Sequence, residues 1–166
     1  MRVLHVLDHS IPLQSGYTFR TRSILREQRA LGWETFHVTG SKQNAGAERE
    51  ETVDGLHFYR TPALTGPFVN LPVLSQKQVI DGLTRRLSEI IPQIKPDVLH
   101  AHSPSLNAIA ALRAGKKFGI PVVYEVRAFW EDAAVDHGTA SENGLRYRLT
   151  RALESYALKH ADAVTT

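Results

Sequence analysis

The sequence has no cysteine, and its 166 residues include one methionine and two tryptophans. The missing cysteine excludes disulfides, a thiolate metal site and a cysteine nucleophile. No apolar run approaches the ~18 residues that a membrane-spanning helix needs. No secretion signal is legible: Arg2–Leu7 is short and is closed by Asp8, His9 and Ser10. Charge of one sign is scarce. Lys and Arg number 20 against 17 Asp and Glu, a net charge of +3. That excess is too small to indicate nucleic acid. It suits an anionic ligand or a membrane surface. Gly-x-Gly-x-x-Gly and P-loop signatures are missing, which disfavours a dinucleotide-dependent oxidoreductase. There is no Ser-His-Asp signal either, because Ser103 beside His102 lacks the Gly-x-Ser-x-Gly elbow.

What remains is an ordinary folded composition, 42% hydrophobic and 22% charged, in a length that fits one domain. Short apolar runs alternate with helical patterns. Arg2–Leu7 reads as a strand buried on both faces. A helix is expected from about Tyr17 to Leu31, stopped by Gly32, and a strand over Trp33–Thr39. Ser41–Glu51 is polar and reads as a mobile surface loop. Thr52–Arg60 reads as a β segment with a turn at Asp54-Gly55. Thr61–Leu74 reads as an irregular apolar loop packed on the core. Its alternative is contact with an apolar acceptor or a membrane. Val79, Ile80, Leu83, Leu87, Ile90 and Ile91 mark an amphipathic helix ended by Pro92. Strands over Asp97–His102 and Pro121–Val126 flank a helix, with Ser103 as its expected cap and Pro104 at its first position. A last helix runs from Gly144 to His160, before a strand at Asp162–Thr166. The alternation predicts an α/β fold: a Rossmann-like parallel sheet flanked by helices.

Ligands of such sheets bind outside the carboxyl ends of the strands. Three ends carry candidate chemistry. Asp8–Gly16 leads into a helix whose free amides suit a phosphate, with Ser15 and Gly16 at the approach and His9 and Tyr17 beside it. Its bland alternative is a capped helix with a turn glycine. His100 and His102 share one strand face, and His102 lies at the tip. It is a candidate ligand contact, or else one of a pair of satisfied strand histidines. A metal there needs a third ligand such as His9 or Asp132. The third end, Glu125–Asp132, offers Arg127 as an anion clamp, Trp130 as an anchor, and Glu131 and Asp132 as candidate acids or bases. Arg20, Arg22, Arg26 and Arg29 stud the first helix as a solvated face or as contacts for an anionic acceptor.

Met1–Gly40, Pro96–His102 and Glu154–Thr165 together resemble glycosyltransferase family 4, the group 1 glycosyltransferases. Asp8–Arg20 and Val123–Asp132 resemble its exosortase A-associated bacterial branch. The resemblance implies the amino-terminal, acceptor-side half of a two-domain GT-B enzyme. It implies transfer with retention from a nucleotide sugar to a glycan or lipid-linked acceptor in exopolysaccharide assembly. No catalytic metal and no nucleic acid are implied. The implied location is cytoplasmic, peripheral at the inner face of the membrane. By resemblance, Ser15 and Gly16 form the donor-phosphate loop, and His102 is the catalytic histidine near the sugar. His9, Tyr17, Arg20, Arg127, Trp130 and Glu131 belong to the cleft. The family's basic pair and Glu-x7-Glu segment belong to a carboxyl-terminal domain outside residues 1–166, so the chain alone is expected to be inactive. The alternative reading is a free-standing Rossmann-type module for an anionic ligand.

Overall fold

The computed structural model describes residues 1–43, 48–66, 69, 71–128 and 144–166. In chain order the elements are β1 (Arg2–Leu7), α1 (Gly16–Ala30), β2 (Glu34–Thr39), β3 (Glu50–Val53), β4 (Leu56–Arg60), α2 (Pro72–Ile94), β5 (Val98–His102), α3 (Ser105–Phe118), β6 (Val122–Glu125), α4 (Leu145–His160) and β7 (Ala163–Thr165). The seven strands form one sheet in the order β3-β4-β2-β1-β5-β6-β7. Among the described residues, only the β3–β4 pairing is antiparallel. The Rossmann-like expectation is met, with one hairpin at the edge. Asp54 and Gly55 turn that hairpin with positive φ, the backbone region an Asp-Gly pair tolerates.

The two sheet faces differ in chemistry, because side chains alternate along a strand. Leu4, Val6, Val38, Leu99, Ala101 and Tyr124 face α2, α3 and α4 and join Ile80, Leu83, Leu87, Ala108 and Ala157 in the main core. Each fully buried leucine there contributes about 1.5–3 kcal/mol relative to exposure. The opposite face lies under α1 and mixes buried Val3, Leu7 and Phe58 with buried His5, Thr35 and His37. His5 on β1 sits in register with His37 on β2 and with His100 on β5. A row of imidazoles therefore crosses the centre of the sheet, where an α/β fold ordinarily places aliphatic residues.

Three local expectations are corrected. The helix α2 begins at Pro72 and runs through Pro92 to Ile94, closing on Lys95 with φ 51°. Proline suits the first helical position. Pro92 falls in the last turn, where buried Ile91 and Ile94 hold the helix on the core. Consequently Leu71, Val73 and Leu74 are exposed on or beside the first turn of α2 rather than packed in a core loop. The helix α3 starts at Ser105 with Pro104 as its cap residue. Ser103 instead accepts the Arg127 backbone N–H. Finally, the segment read as a loop over Ser41–Glu51 opens with a short 3₁₀ turn, Ser41–Gln43, whose Ser41 and Gln43 are buried, and it ends in β3, while residues 44–47 lie outside the described residues.

Candidate functional site

The carboxyl ends of β1, β5 and β6 converge on the first turns of α1. At the exit of β1, His9 Nδ1 lies 3.1 Å from Asp8 Oδ2, and its Nε2 lies 2.8 Å from Ser15 Oγ. Ser15 caps α1, accepting the Thr18 N–H at 3.2 Å. The His9 ring stacks on Tyr17 with 4.6 Å between centroids, and the Asp8 N–H donates to Tyr17 Oη at 3.0 Å. Burial would raise the Asp8 carboxyl, but His9 and Lys42 outweigh it and hold the group below its ordinary range. Asp8 is therefore ionised at neutral pH.

A wholly buried arginine anchors this loop. Arg60 at the end of β4 donates to Ser10 Oγ at 2.6 Å and to the Ile11 carbonyl at 2.8 Å. Its charge is met by Glu51 Oε2 at 2.6 Å. Gln43 adds a side-chain acceptor for the Ser10 N–H. Polar groups buried this deeply must be partnered, and here the partners fix the path from β1 into α1.

Beneath the loop runs a buried polar chain. His102 is completely buried. Arg127 Nη2 reaches its Nδ1 at 2.5 Å. A guanidinium has no lone pair, so it must donate. That assignment makes His102 Nε2–H the donor to His5 Nδ1 at 2.9 Å, and His5 Nε2–H the donor to Gln28 Oε1 on α1 at 2.8 Å. Desolvation pulls His102 down to about 3 and His5 well below the ordinary histidine value. Both rings are neutral at pH 7.

Glu125 at the tip of β6 is the hub. Its Oε1 accepts from Arg20 Nε and from Arg127 Nε, each at 3.0 Å. Its Oε2 lies 3.0 Å from His102 Nδ1 and 3.2 Å from His100 Nε2. Burial alone would raise this carboxyl, but His100 and the Arg127 charge beside it drive it far below the usual range. Arg127 also donates through Nη1 to the Tyr17 carbonyl and to Thr21 Oγ1, both at 2.9 Å. Four guanidinium contacts are thus spent inside the chain, and the side chain is 6% exposed. Arg20 is different: half of its side chain faces solvent.

The structure gathers six of the residues singled out in the sequence, His9, Ser15, Tyr17, Arg20, His102 and Arg127, around the Gly16 end of α1. Gly16 itself has open space: among the described residues, a Cβ there meets nothing within 4 Å. Trp130, Glu131 and Asp132 lie outside the described residues. The sequence reading did not single out His5, Gln28 or Arg60, nor did it give Glu125 a role. The visible signal was a histidine and a glutamate in otherwise apolar strands. Among the described residues, His5, His100 and His102 each bring one donor atom within 4.8 Å of the others. His9 is not part of that group. The donors are turned toward one another, and the Arg127 cation stands at His102 Nδ1.

Comparisons with known proteins agree on the fold. The family described as glycosyl transferase 4-like domain matches residues 15–166. Sulfoquinovosyl transferase SQD2 of Arabidopsis thaliana is 28% identical over 109 residues, 66% of this chain and 19% of that protein. Sucrose-phosphate synthase from Thermosynechococcus elongatus superposes with a TM-score of 0.68 at 15% identity, covering 99% of this chain and 42% of that one. The UDP-GlcNAc 2-epimerase of Neisseria meningitidis also superposes, with a TM-score of 0.54 at 16% identity over 95% of this chain and 38% of that one. The chain therefore spans about a fifth of that curated relative and about two fifths of these solved structures. The fold serves more than one reaction, and the family match is what separates them: this chain belongs to the glycosyl transferase 4-like domain family.

Proposed function

We propose that this chain is the acceptor-side half of a GT-B glycosyltransferase that moves a sugar from a nucleotide donor to a glycan or lipid-linked acceptor. The observation that carries the reading is the open amino terminus of α1 at Gly16, ringed by His9, Ser15, Tyr17 and Arg20 where three strand ends meet. First-turn amides and a nearby arginine suit a diphosphate. The geometry supports a refinement for two residues. His102 and Arg127 are buried and mutually bonded, so they act as positioning residues under the cleft, while Arg20 and His9 reach its surface. A second domain supplies the remaining positive charge that a departing nucleoside diphosphate needs. Retention of configuration, metal independence and a role in exopolysaccharide assembly at the inner membrane face, in the exosortase-associated branch, are parts of the same proposal. No helix among the described residues is long and apolar enough to cross a membrane, so the membrane contact proposed is peripheral.

The test uses the full-length protein and a panel of nucleotide sugars. Transfer is expected, with kcat falling sharply on His102→Ala. Unchanged turnover in that variant would remove His102 from the site. The 166-residue chain alone is expected to bind nucleotide sugar weakly or not at all by calorimetry. Tight binding there would favour the alternative of a self-sufficient anion-binding module.

A further inference from the structure

We propose that Asp8, His9 and Ser15 form a working hydroxyl-activating relay, making Ser15 a nucleophile toward small activated acyl esters. No sequence motif marks it, because the three residues sit around a loop rather than in an elbow motif. The geometry is that of a nucleophile, a base and an orienting carboxylate. Asp8 Oδ2 lies 3.1 Å from His9 Nδ1, and His9 Nε2 lies 2.8 Å from Ser15 Oγ. An ionised Asp8 holds the imidazole as the Nδ1–H tautomer, which leaves Nε2 with a lone pair aimed at the hydroxyl. The stack on Tyr17 fixes the ring plane. Lys42 Nζ, 3.2 Å from Asp8 Oδ1, helps hold the carboxylate.

Two further features complete the arrangement. Ser15 is the cap of a 15-residue helix, so the first-turn amides of Gly16 and Tyr17 lack intrahelical acceptors. Free amides of this kind can donate to a developing oxyanion. Gln14 and Thr18, which flank Ser15 in the chain and in the first turn, also line a cavity of about 230 Å³ in which Ile11, Pro12, Phe19 and Val53 meet the charged Arg22 and Asp54. Its size suits a short acyl chain. In the reaction, Ser15 Oγ bonds to the ester carbonyl carbon and its proton passes to His9 Nε2. Collapse of the tetrahedral adduct breaks the ester C–O bond, and the departing alkoxide or phenolate, which keeps the bond's electron pair, takes the proton from His9 Nε2 and leaves as the alcohol or phenol. Water, deprotonated by the same His9, then releases the carboxylic acid and regenerates the hydroxyl.

The relay needs no nucleotide sugar, so its test is independent of the proposed transferase activity. The full chain is incubated with p-nitrophenyl acetate and, separately, with a fluorophosphonate probe, which the hydroxyl would attack with loss of fluoride. Expected are ester turnover and probe attachment on the peptide holding Ser15, both abolished in Ser15→Gly. Glycine is an acceptable helix cap, so this variant removes the hydroxyl while keeping α1. His9→Gln and Asp8→Asn should each slow probe attachment about tenfold or more. Circular dichroism confirms that each variant is folded. Wild-type labelling no faster than Ser15→Gly, labelling elsewhere, or a rate indifferent to His9→Gln would each overturn the proposal.

Discussion

Arg127, at the exit of β6, lies over the ring of Tyr17 on α1, 4.2 Å from ring centroid to guanidinium carbon. It also donates to the Tyr17 backbone carbonyl. One side chain thereby ties the start of α1 to the far strand of the cleft, across 110 residues of sequence. The same cation neutralises buried Glu125. Removing it leaves that carboxylate with the half-exposed Arg20 as its remaining arginine partner, and breaking a buried pair from one side costs up to about 3–5 kcal/mol. Arg127→Met should therefore lower stability by up to that amount in urea titrations. Adding Glu125→Gln should recover much of the loss, because the under-compensated charge is gone. A double variant no more stable than Arg127→Met would mean that Arg127 acts through packing alone.

The histidine row makes stability depend on pH. Burial holds His37 down to about 4 and His102 down to about 3, against about 6.5 in an unfolded chain. The unfolded state therefore takes up protons first. The stability these neutral rings contribute is complete above about pH 6.5 and is lost as the pH falls toward 4 and 3. For His37, the loss between pH 7.5 and pH 5 is on the order of 2 kcal/mol. Its ring is satisfied by the His57 carbonyl and Thr35 Oγ1, so His37→Asn has a cost of its own that does not vary with pH. The stability gap between wild type and His37→Asn should shrink by about 2 kcal/mol over that range. A constant gap in urea titrations at the two pH values would exclude the mechanism.

A close approach elsewhere separates folding from function. Gly115 on α3 faces the start of β6 so tightly that a Cβ would sit 2.6 Å from the Ile120 carbonyl oxygen and 2.7 Å from Val122 Cγ2. The obstructing oxygen is backbone and cannot rotate away. Gly115→Ala should cost about 1–3 kcal/mol, the usual range for overpacking. The change lies far along α3 from the cleft, so chemical denaturation should show the loss while activity per folded molecule is retained.

These elements show why parts of the molecule were legible from residues and parts were not. Strand and helix order followed from apolar periodicity and from Gly32 and Gly119, both of which take positive φ at helix ends. The start of α2 was missed because Pro72 reads as a loop residue in the company of Pro62 and Pro67, although it suits a first helical turn. Local rules could place His9, Ser15 and Arg127 at strand ends. They could not say that Arg127 faces inward, because that depends on Glu125, Thr21 and Tyr17, which meet only in the fold. The buried chain through Gln28, His5 and His102 was invisible for the same reason: its contacts span 23 and 97 residues.

Gly16 gives the sharpest separation of stability from ligand recognition. It is the first residue of α1, and it does not adopt the positive φ that would demand glycine. A methyl group there meets nothing within 4 Å among the described residues. Alanine is the better helix former and narrows the unfolded ensemble. Gly16→Ala should therefore leave stability unchanged or raise it by up to about 1 kcal/mol. A diphosphate resting on the first turn of α1 would meet that methyl directly, so nucleotide-sugar turnover by the full-length protein should fall, with the loss in donor KM rather than in folding. Thermal unfolding and donor titration on one preparation make the comparison. Undiminished turnover in a stable Gly16→Ala variant would show that the donor does not approach this helix end.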